Sequence, residues 1–289
     1  SIAGFSQYEQ LAGGVKTLFG TEATSLAEYA NSVGKSAEEV AGEYEKLLAS
    51  QQTVFDNADK AFQSAGLSAN EYMETVTSFS ASLLQGLGGD TEKAAALADK
   101  AIIDMADNAN KMGTDIGSIQ NAYQGFAKQN YTMLDNLKLG YGGTQEEMVR
   151  LINDSGILEK KIEDLDGIRF DQIVEAIHAV QTNIGITDAT AQEASSTIEG
   201  SVNAMKSAWS NLVSGMARDD ADLSGLMSDL AGSVETAGAN LLPRITTILS
   251  SMGTLVAQLA PQIAGQVPQL IEQVVPPMIE AGAQMLGGV

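Results

Sequence analysis

Proline sets the first limit on this chain: none occurs before Pro243, and all five (Pro243, Pro261, Pro268, Pro276 and Pro277) fall in the last 47 residues. Proline removes a backbone donor and clashes with the preceding helical turn, so its absence leaves helix open and hands punctuation to glycine and to capping side chains. Those signals are legible. Ser36 stands three residues before Glu39, Ser68 before Glu71, Thr144 before Glu147 and Thr190 before Glu193, each at the spacing of a reciprocal capping box. Glycines at 34, 66, 86 to 89, 113 and 185 sit where a helix would end in a left-handed turn. Between these marks the sequence predicts helices at roughly 7 to 18, 22 to 33, 37 to 64, 69 to 85, 91 to 112, 115 to 128, 145 to 154, 171 to 184 and 189 to 217. Strand signals are almost absent.

Composition agrees with that reading. Hydrophobic residues make up 44% but aromatics only 5%, which favours helices with slim side chains over a β-rich core. At 289 residues a buried interior needs neither metal nor disulfide staples. There is no cysteine, which removes disulfides, thiol nucleophiles and thiolate metal sites. His178 is the only histidine, so any multi-histidine metal site is excluded by count. The 37 acidic and 16 basic residues give a formal charge of −21, which repels phosphate backbones and makes nucleic-acid binding a poor expectation. The acidic excess reads as a solvated face that keeps a helical assembly soluble. The opening at Ser1, inside a helical pattern, reads as a piece of something longer.

Two stretches suggest packing roles. Ile198, Val202, Met205, Trp209, Leu212 and Met216 step by four and three, the spacing of an apolar seam that packs on a partner helix. Spacing leaves open whether that partner is in the same chain or in another subunit. From Ile245 to Ile271 there is no charge, but Thr246, Thr247, Ser250, Ser251, Thr254, Gln258, Gln262 and Gln266 interrupt the run, while Pro261 and Pro268 are expected to break or kink it. Packing against other helices suits it better than spanning a bilayer, which needs about 20 predominantly apolar residues. The expected class is all-α, a multi-helix bundle or folded-back helical domain over 1–240 with a proline-kinked apolar helical tail over 241–289.

The catalytic candidates fail one by one. Gly140, Gly142 and Gly143 precede a helix start as in a phosphate loop, but the G-x-x-x-x-G-K-[ST] pattern needs a lysine after the glycines, and Thr144 and Gln145 follow instead. A sharp reversal capped by Thr144 and Glu147 is the simpler reading, with "TMLDNLKL" before it a short helix or an extended turn. "DLDG" at 164 to 167 has the wrong residues at the ligand positions of a calcium loop and reads as an exposed turn. Ser201 and Lys206 do not have S-x-x-K spacing, and His178 reads as a satisfied or solvent-facing helix residue. No enzyme activity, cofactor or metal is expected.

The segment "SANEYMETVTSFSASLLQGLGGDTEKAAALADKAIIDMADNANKMGTDIGSIQNAYQGFAKQNYTMLDNLKLGYGGTQEEMVRLINDSG", with "ASSTIEGSVNAMKSAWSNLVSGMA", closely resembles the conserved domain of tail tape measure proteins from phages and prophages of Gram-positive bacteria. The two blocks cover residues 68 to 217, and "QYEQLAGGVKTLFG" is more weakly similar. "NYTMLDNLKLGYGGT" is the distinctive part, and it makes Gly140, Gly142, Gly143, Thr144 and Glu147 a structural signature turn. The resemblance implies a mostly helical ruler of tail length that leaves the tail ahead of the DNA at infection. It implies residence in the tail lumen of the virion, and in the host cytoplasm during assembly. It also implies contacts with tail tube protein, tail assembly chaperones and other copies of the chain, as a trimer or hexamer, and a transient contact with the host membrane. Continuous helix over the whole chain would span roughly 430 Å at 1.5 Å per residue, and the glycine breaks argue against one such rod. The alternative reading is a membrane-active helical protein that aids a pore in the host envelope.

Overall fold

In a computed structural model, which describes residues 2–263, the chain is all-helical, with no strand among the described residues. It divides into two units, residues 1–238 and 239–289. In chain order the helices are α1 (Ile2–Phe19), α2 (Leu26–Val33), α3 (Ala37–Ser64), α4 (Ala69–Gly86), α5 (Thr91–Met112), α6 (Ile116–Ala127), α7 (Gln145–Ser155), α8 (Phe170–Asn183), α9 (Ala189–Ser196), α10 (Ile198–Gly215) and α11 (Leu223–Ile263). A 3-10 turn at Leu134–Leu137 lies between α6 and α7, which settles "TMLDNLKL" as a short helical turn.

Helix starts follow the side chains expected to set them. Ser36 with Glu39 and Ser68 with Glu71 form complete capping boxes. Asp90 and Asp115 accept from the third amide of α5 and α6 in the same manner. Each such cap satisfies a donor that the helix itself leaves open, contributing about 1 kcal/mol.

The core of the first unit is built around α5. Ala94, Ala95, Ala98, Ala101 and Ala106 are buried along it, and neighbouring helices meet it on several sides. Small side chains allow that close approach. The large groups come from the neighbours: Phe19, Tyr72, Met73, Leu83, Tyr123 and Phe126 are all fully or nearly fully buried. One continuous apolar cluster joins α1, α3, α4, α5, α6, α7 and α8. Two smaller clusters stand apart, one of Tyr29, Ala30 and Val40 and one of Phe62, Ala194, Ala204 and Ala208.

Three expectations need correction. The helix expected over 189 to 217 is two helices. Thr197 adopts extended backbone (φ −112°, ψ 155°), and its hydroxyl accepts from Gly200 N to start α10. Gly200 is where α9 and α10 come closest: an added Cβ would lie 2.3 Å from Glu193 O. Thr190 does not cap a helix, because α9 already begins at Ala189 and Thr190 is buried within it. The apolar segment expected from 241 belongs to a helix that begins at Leu223 and runs to Ile263, past Pro243 and past Pro261, where a break or kink was expected. Pro243 takes one donor out of the ladder, and Thr247 Oγ1 hydrogen-bonds the Pro243 carbonyl from the following turn. Pro268, Pro276 and Pro277 lie outside the described residues.

The second unit is described over 239–263, the remainder of α11. Every described side chain from 241 to 251 is exposed, including Leu241, Leu242, Ile245, Ile248 and Leu249.

Candidate functional site

The signature turn is a closed structure. Gly140 has φ +89°, and a Cβ at Gly143 would fall 2.2 Å from Thr132 O, so the chain crosses itself where only glycine fits. Thr144 Oγ1 accepts from Glu147 N at 3.2 Å, which is half of the expected capping box. The other half is redirected. Glu147 Oε2 accepts from Gly142 N at 2.9 Å, two residues before the cap, and its carboxylate also receives Arg150. Arg150 in turn donates to Gly140 O at 2.7 Å and lies 4.3 Å from the centre of the Tyr141 ring. The Arg150 hydrogen bond, with Gly142 N beside it, pulls the Glu147 carboxyl down to about 2. The Gly142 amide, a donor that a phosphate loop would offer its ligand, is occupied by the chain's own anion. The turn is a lock, not a cradle.

Beneath this turn lies a buried polar web that the sequence reading missed. Asn108 Nδ2 donates to Leu137 O at 2.9 Å and to Gln181 Oε1 at 2.9 Å, while its Oδ1 accepts from Thr114. Gln181 Nε2 donates to Asp104 O at 3.0 Å. His178 Nδ1 meets both oxygens of Asp104, at 2.9 and 3.0 Å. Asp107 accepts from Asp188 N at 2.7 Å and from Thr190 N at 2.9 Å, so α5 supplies the cap that Thr190 was expected to supply for itself. Asp104, Asp107, Asn108 and Gln181 are at most 1% exposed. The available signal was "DMADNAN", where three polar residues interrupt the apolar face of α5.

Electrostatics follow the burial. Desolvation pushes the Asp104 carboxyl up to about 6 even against the imidazole beside it. The hydrogen bond that His178 makes to the Asp104 carboxylate raises the imidazole pKa. Burial, with the Asp104 charge nearby, holds the Tyr123 phenol well above its usual range, and that hydroxyl has no hydrogen-bond partner. An Asp–His pair in this orientation is what a general base needs. Among the described residues no Ser, Thr or Tyr hydroxyl hydrogen-bonds His178, however, whose bonds there go to Asp104. Ser201 Oγ is spent on the carbonyls of Thr197 and Ile198, and Lys206 is exposed. Among the described residues no group of carboxylates and histidine can hold a metal ion.

The seam on α10 is placed differently from its expectation. The buried stripe of this helix is Ser201, Ala204, Ala208, Asn211 and Gly215, one position before the large residues along most of its length. Trp209 is 57% exposed and Met216 69%, while Ile198, Val202, Met205 and Leu212 are only partly covered. The reason is steric: Ala204 and Ala208 admit Phe62 of α3, and Gly215 admits Leu226, whose Cδ1 would lie 2.4 Å from an added Cβ. The described chain buries the small face of α10 and leaves the large one outward.

A cleft of about 760 Å³ runs between α1, α3 and the start of α11. Phe5, Tyr8 and Phe55 share its walls with Asp59, Asp220 and Asp229. Its Arg218 guanidinium already lies 3.7 Å from the centre of the Tyr8 ring and 3.2 Å from Asp220. Its walls are far too acidic for a phosphorylated ligand.

Comparison with known proteins assigns nothing: no family model matches the chain, and neither a curated protein nor a solved structure does. Among the described residues no helix is long and apolar enough to cross a membrane.

Proposed function

We propose that this chain is a structural component of a phage tail, a region of the tape measure that sets tail length during assembly and is released ahead of DNA at ejection. It acts by packing and not by catalysis. The observation that carries this reading is the apolar stripe of α10, with Trp209 and Met216 exposed and Val202, Met205 and Leu212 half-buried, together with exposed Met227 and Val234 on α11. Heptad-spaced apolar residues that the described residues leave exposed or half-exposed are the surface an assembly uses. The resemblance over residues 68 to 217 supplies the kind of assembly. Its partners on this reading are other copies of the chain, the tail tube protein and tail assembly chaperones, with the folded helical domain over 1–240 and the apolar segment over 241–289 as parts of one ruler. The lumen of the virion tail is its place. DNA slides past its acidic surface without sequence-specific contact.

Light scattering on the purified chain tests the proposal. A trimer or hexamer that Trp209→Ser or Val202→Asp dissociates is the expected result. A monomer at all concentrations, with Trp209→Ser indistinguishable from it, would remove the stripe as an assembly surface.

A second reading rests on its own observation. Between 241 and 251 α11 exposes Leu241, Leu242, Ile245, Ile248 and Leu249 and carries one charge, Arg244. An apolar helix of that kind partitions into a bilayer interface, which suits a membrane-active role in genome delivery. Dye release from liposomes by the full chain, abolished by deletion of residues 241–289, is the outcome this reading requires.

A further inference from the structure

The first unit is held together in two different ways. Helices α1 and α3 through α8 share one apolar cluster that includes Phe19, Tyr72, Phe126 and Ile177, and no residue of α2, α9, α10 or α11 belongs to it. Across the joint to α9 and α10 there is one large buried side chain from the body, Phe62, which meets Ala194, Ala204 and Ala208, with Leu230 of α11 packed alongside.

Apart from buried Ile186 in the link and Ala189 at the start of α9, the rest of the joint is held by polar contacts. Asp107 takes the amides of Asp188 and Thr190, and Asn110 Nδ2 donates to Thr190 Oγ1 at 2.7 Å. Asn211 Oδ1 accepts from Ala69 N at 2.8 Å, and Ser207 Oγ donates to Gly66 O at 3.2 Å. At the far end Arg218 covers the Tyr8 ring. Water replaces most such bonds when a joint opens, so each contributes little net stability, whereas the apolar body has no equivalent exchange. The connection between the two parts is also of a particular kind. Gly185 (φ +77°) and Asp188 (φ +64°) are both left-handed, and Ile184 beside them is 53% exposed. A link of few residues with uncommon backbone angles is where a hinge is built.

We infer that α9, α10 and α11 up to residue 238 form a strap that swings off the α1–α8 body as one piece about Gly185 and Asp188, with the Asp107 carboxylate as its clasp. Opening uncovers Phe62 and frees the small-residue face of α10, so a face that is internal in the closed chain becomes available to another helix. The low opening cost follows from the make-up of the joint, one aromatic and several hydrogen bonds, against the many large side chains that hold the body. The device belongs to this chain alone and stands or falls independently of a role in a tail.

Native-state hydrogen exchange on the full chain, read by mass spectrometry in low urea, tests it. The amides of α10 should share one opening event at least tenfold more frequent than that of the amides in the middle of α5. Asn211→Ala combined with Arg218→Met removes two contacts of the joint and no buried apolar group, and should make strap opening about tenfold more frequent while leaving α5 unchanged. Trp209 is the only tryptophan and rides on the strap, so its fluorescence should change at lower urea than the far-ultraviolet dichroism that follows the body. If α10 and α5 exchange through one common opening, in the native chain and the variant alike, and the two optical transitions coincide, the strap is part of a single cooperative unit and the inference is overturned.

Discussion

At the scale of single residues, the glycines of the signature turn are not equivalent, although the sequence presents them as a cluster. A methyl group at Gly142 would meet only Glu147 Cγ at 3.5 Å, an ordinary contact, whereas at Gly143 it would meet the backbone of Thr132 at 2.2 Å. A carbonyl oxygen fixed in a turn cannot retreat as a side chain does. Gly143→Ala should therefore cost about 1–3 kcal/mol, as overpacking against rigid neighbours does, and Gly142→Ala less than about 0.5 kcal/mol, the scale of surface changes. Urea denaturation of the two variants checks the ranking. His178 supports a second prediction. Its pKa is raised by the Asp104 hydrogen bond, so the folded chain holds that proton more tightly than the unfolded chain. This stabilisation is complete below the ordinary histidine value of about 6.5 and is lost as pH rises through the raised one. Asp104, raised to about 6 by burial, acts in the same direction over a lower window, from its ordinary value of 3.8 upward. The urea midpoint of the native chain should fall as pH is taken from 6.5 towards 9, and His178→Gln should flatten that slope. Equal slopes in the two proteins would mean that the pair does not couple to folding.

At the scale of elements, α10 shows what periodicity reports and what it leaves out. The step of four and three identified a helix with a regular apolar stripe, and the helix is there. The face it buries is the adjacent one, because packing density depends on how closely two backbones approach, and Ala204, Ala208 and Gly215 permit an approach that Met205, Trp209 and Met216 would block. Hydrophobicity alone does not say which stripe the chain buries within itself. This has a direct consequence: Ala208→Leu, a modest change on paper, should destabilise the chain by about 1–3 kcal/mol, while Trp209→Ala should stay within about 0.5 kcal/mol. Thermal melts at low protein concentration separate the two. Other elements were legible for a physical reason that α10 lacks. The starts of α3 and α4 are written in local chemistry, a serine and a glutamate three residues apart, and local chemistry is what a sequence displays. The break between α9 and α10 and the start of α9 depend on groups from elsewhere, Glu193 O pressed against Gly200 and the carboxylate of Asp107 on α5. Spacing cannot display a cap donated from 83 residues away. The same holds for the polar web, whose members on α5 and α8 looked like unrelated polar residues until the fold brought them together.

At the scale of the whole molecule, charge and apolar surface are distributed unequally. Nearly all of the formal charge of −21 belongs to residues 1–238, since 239–289 holds only Arg244, Glu272 and Glu280. The first unit carries the apolar cluster of α1–α8, its own caps and a dense acidic surface, which together are sufficient for a chain of that length to fold and to stay dispersed. The described part of the second unit is a single helix that exposes each side chain from 241 to 251. A lone helix gains little from propensity and needs an apolar partner to persist. Deleting residues 239–289 should therefore leave the urea midpoint of the remaining chain within experimental error of the intact one, because none of its buried core residues is removed. The corresponding peptide should be weakly helical when dilute and gain helix with concentration or on lipid vesicles. Circular dichroism and urea unfolding of the shortened chain decide the first part. A truncated protein that melts markedly earlier would show that the body draws stability from the C-terminal helix, and the unequal distribution of charge and apolar surface would then describe one cooperative molecule and not two units with separate tasks.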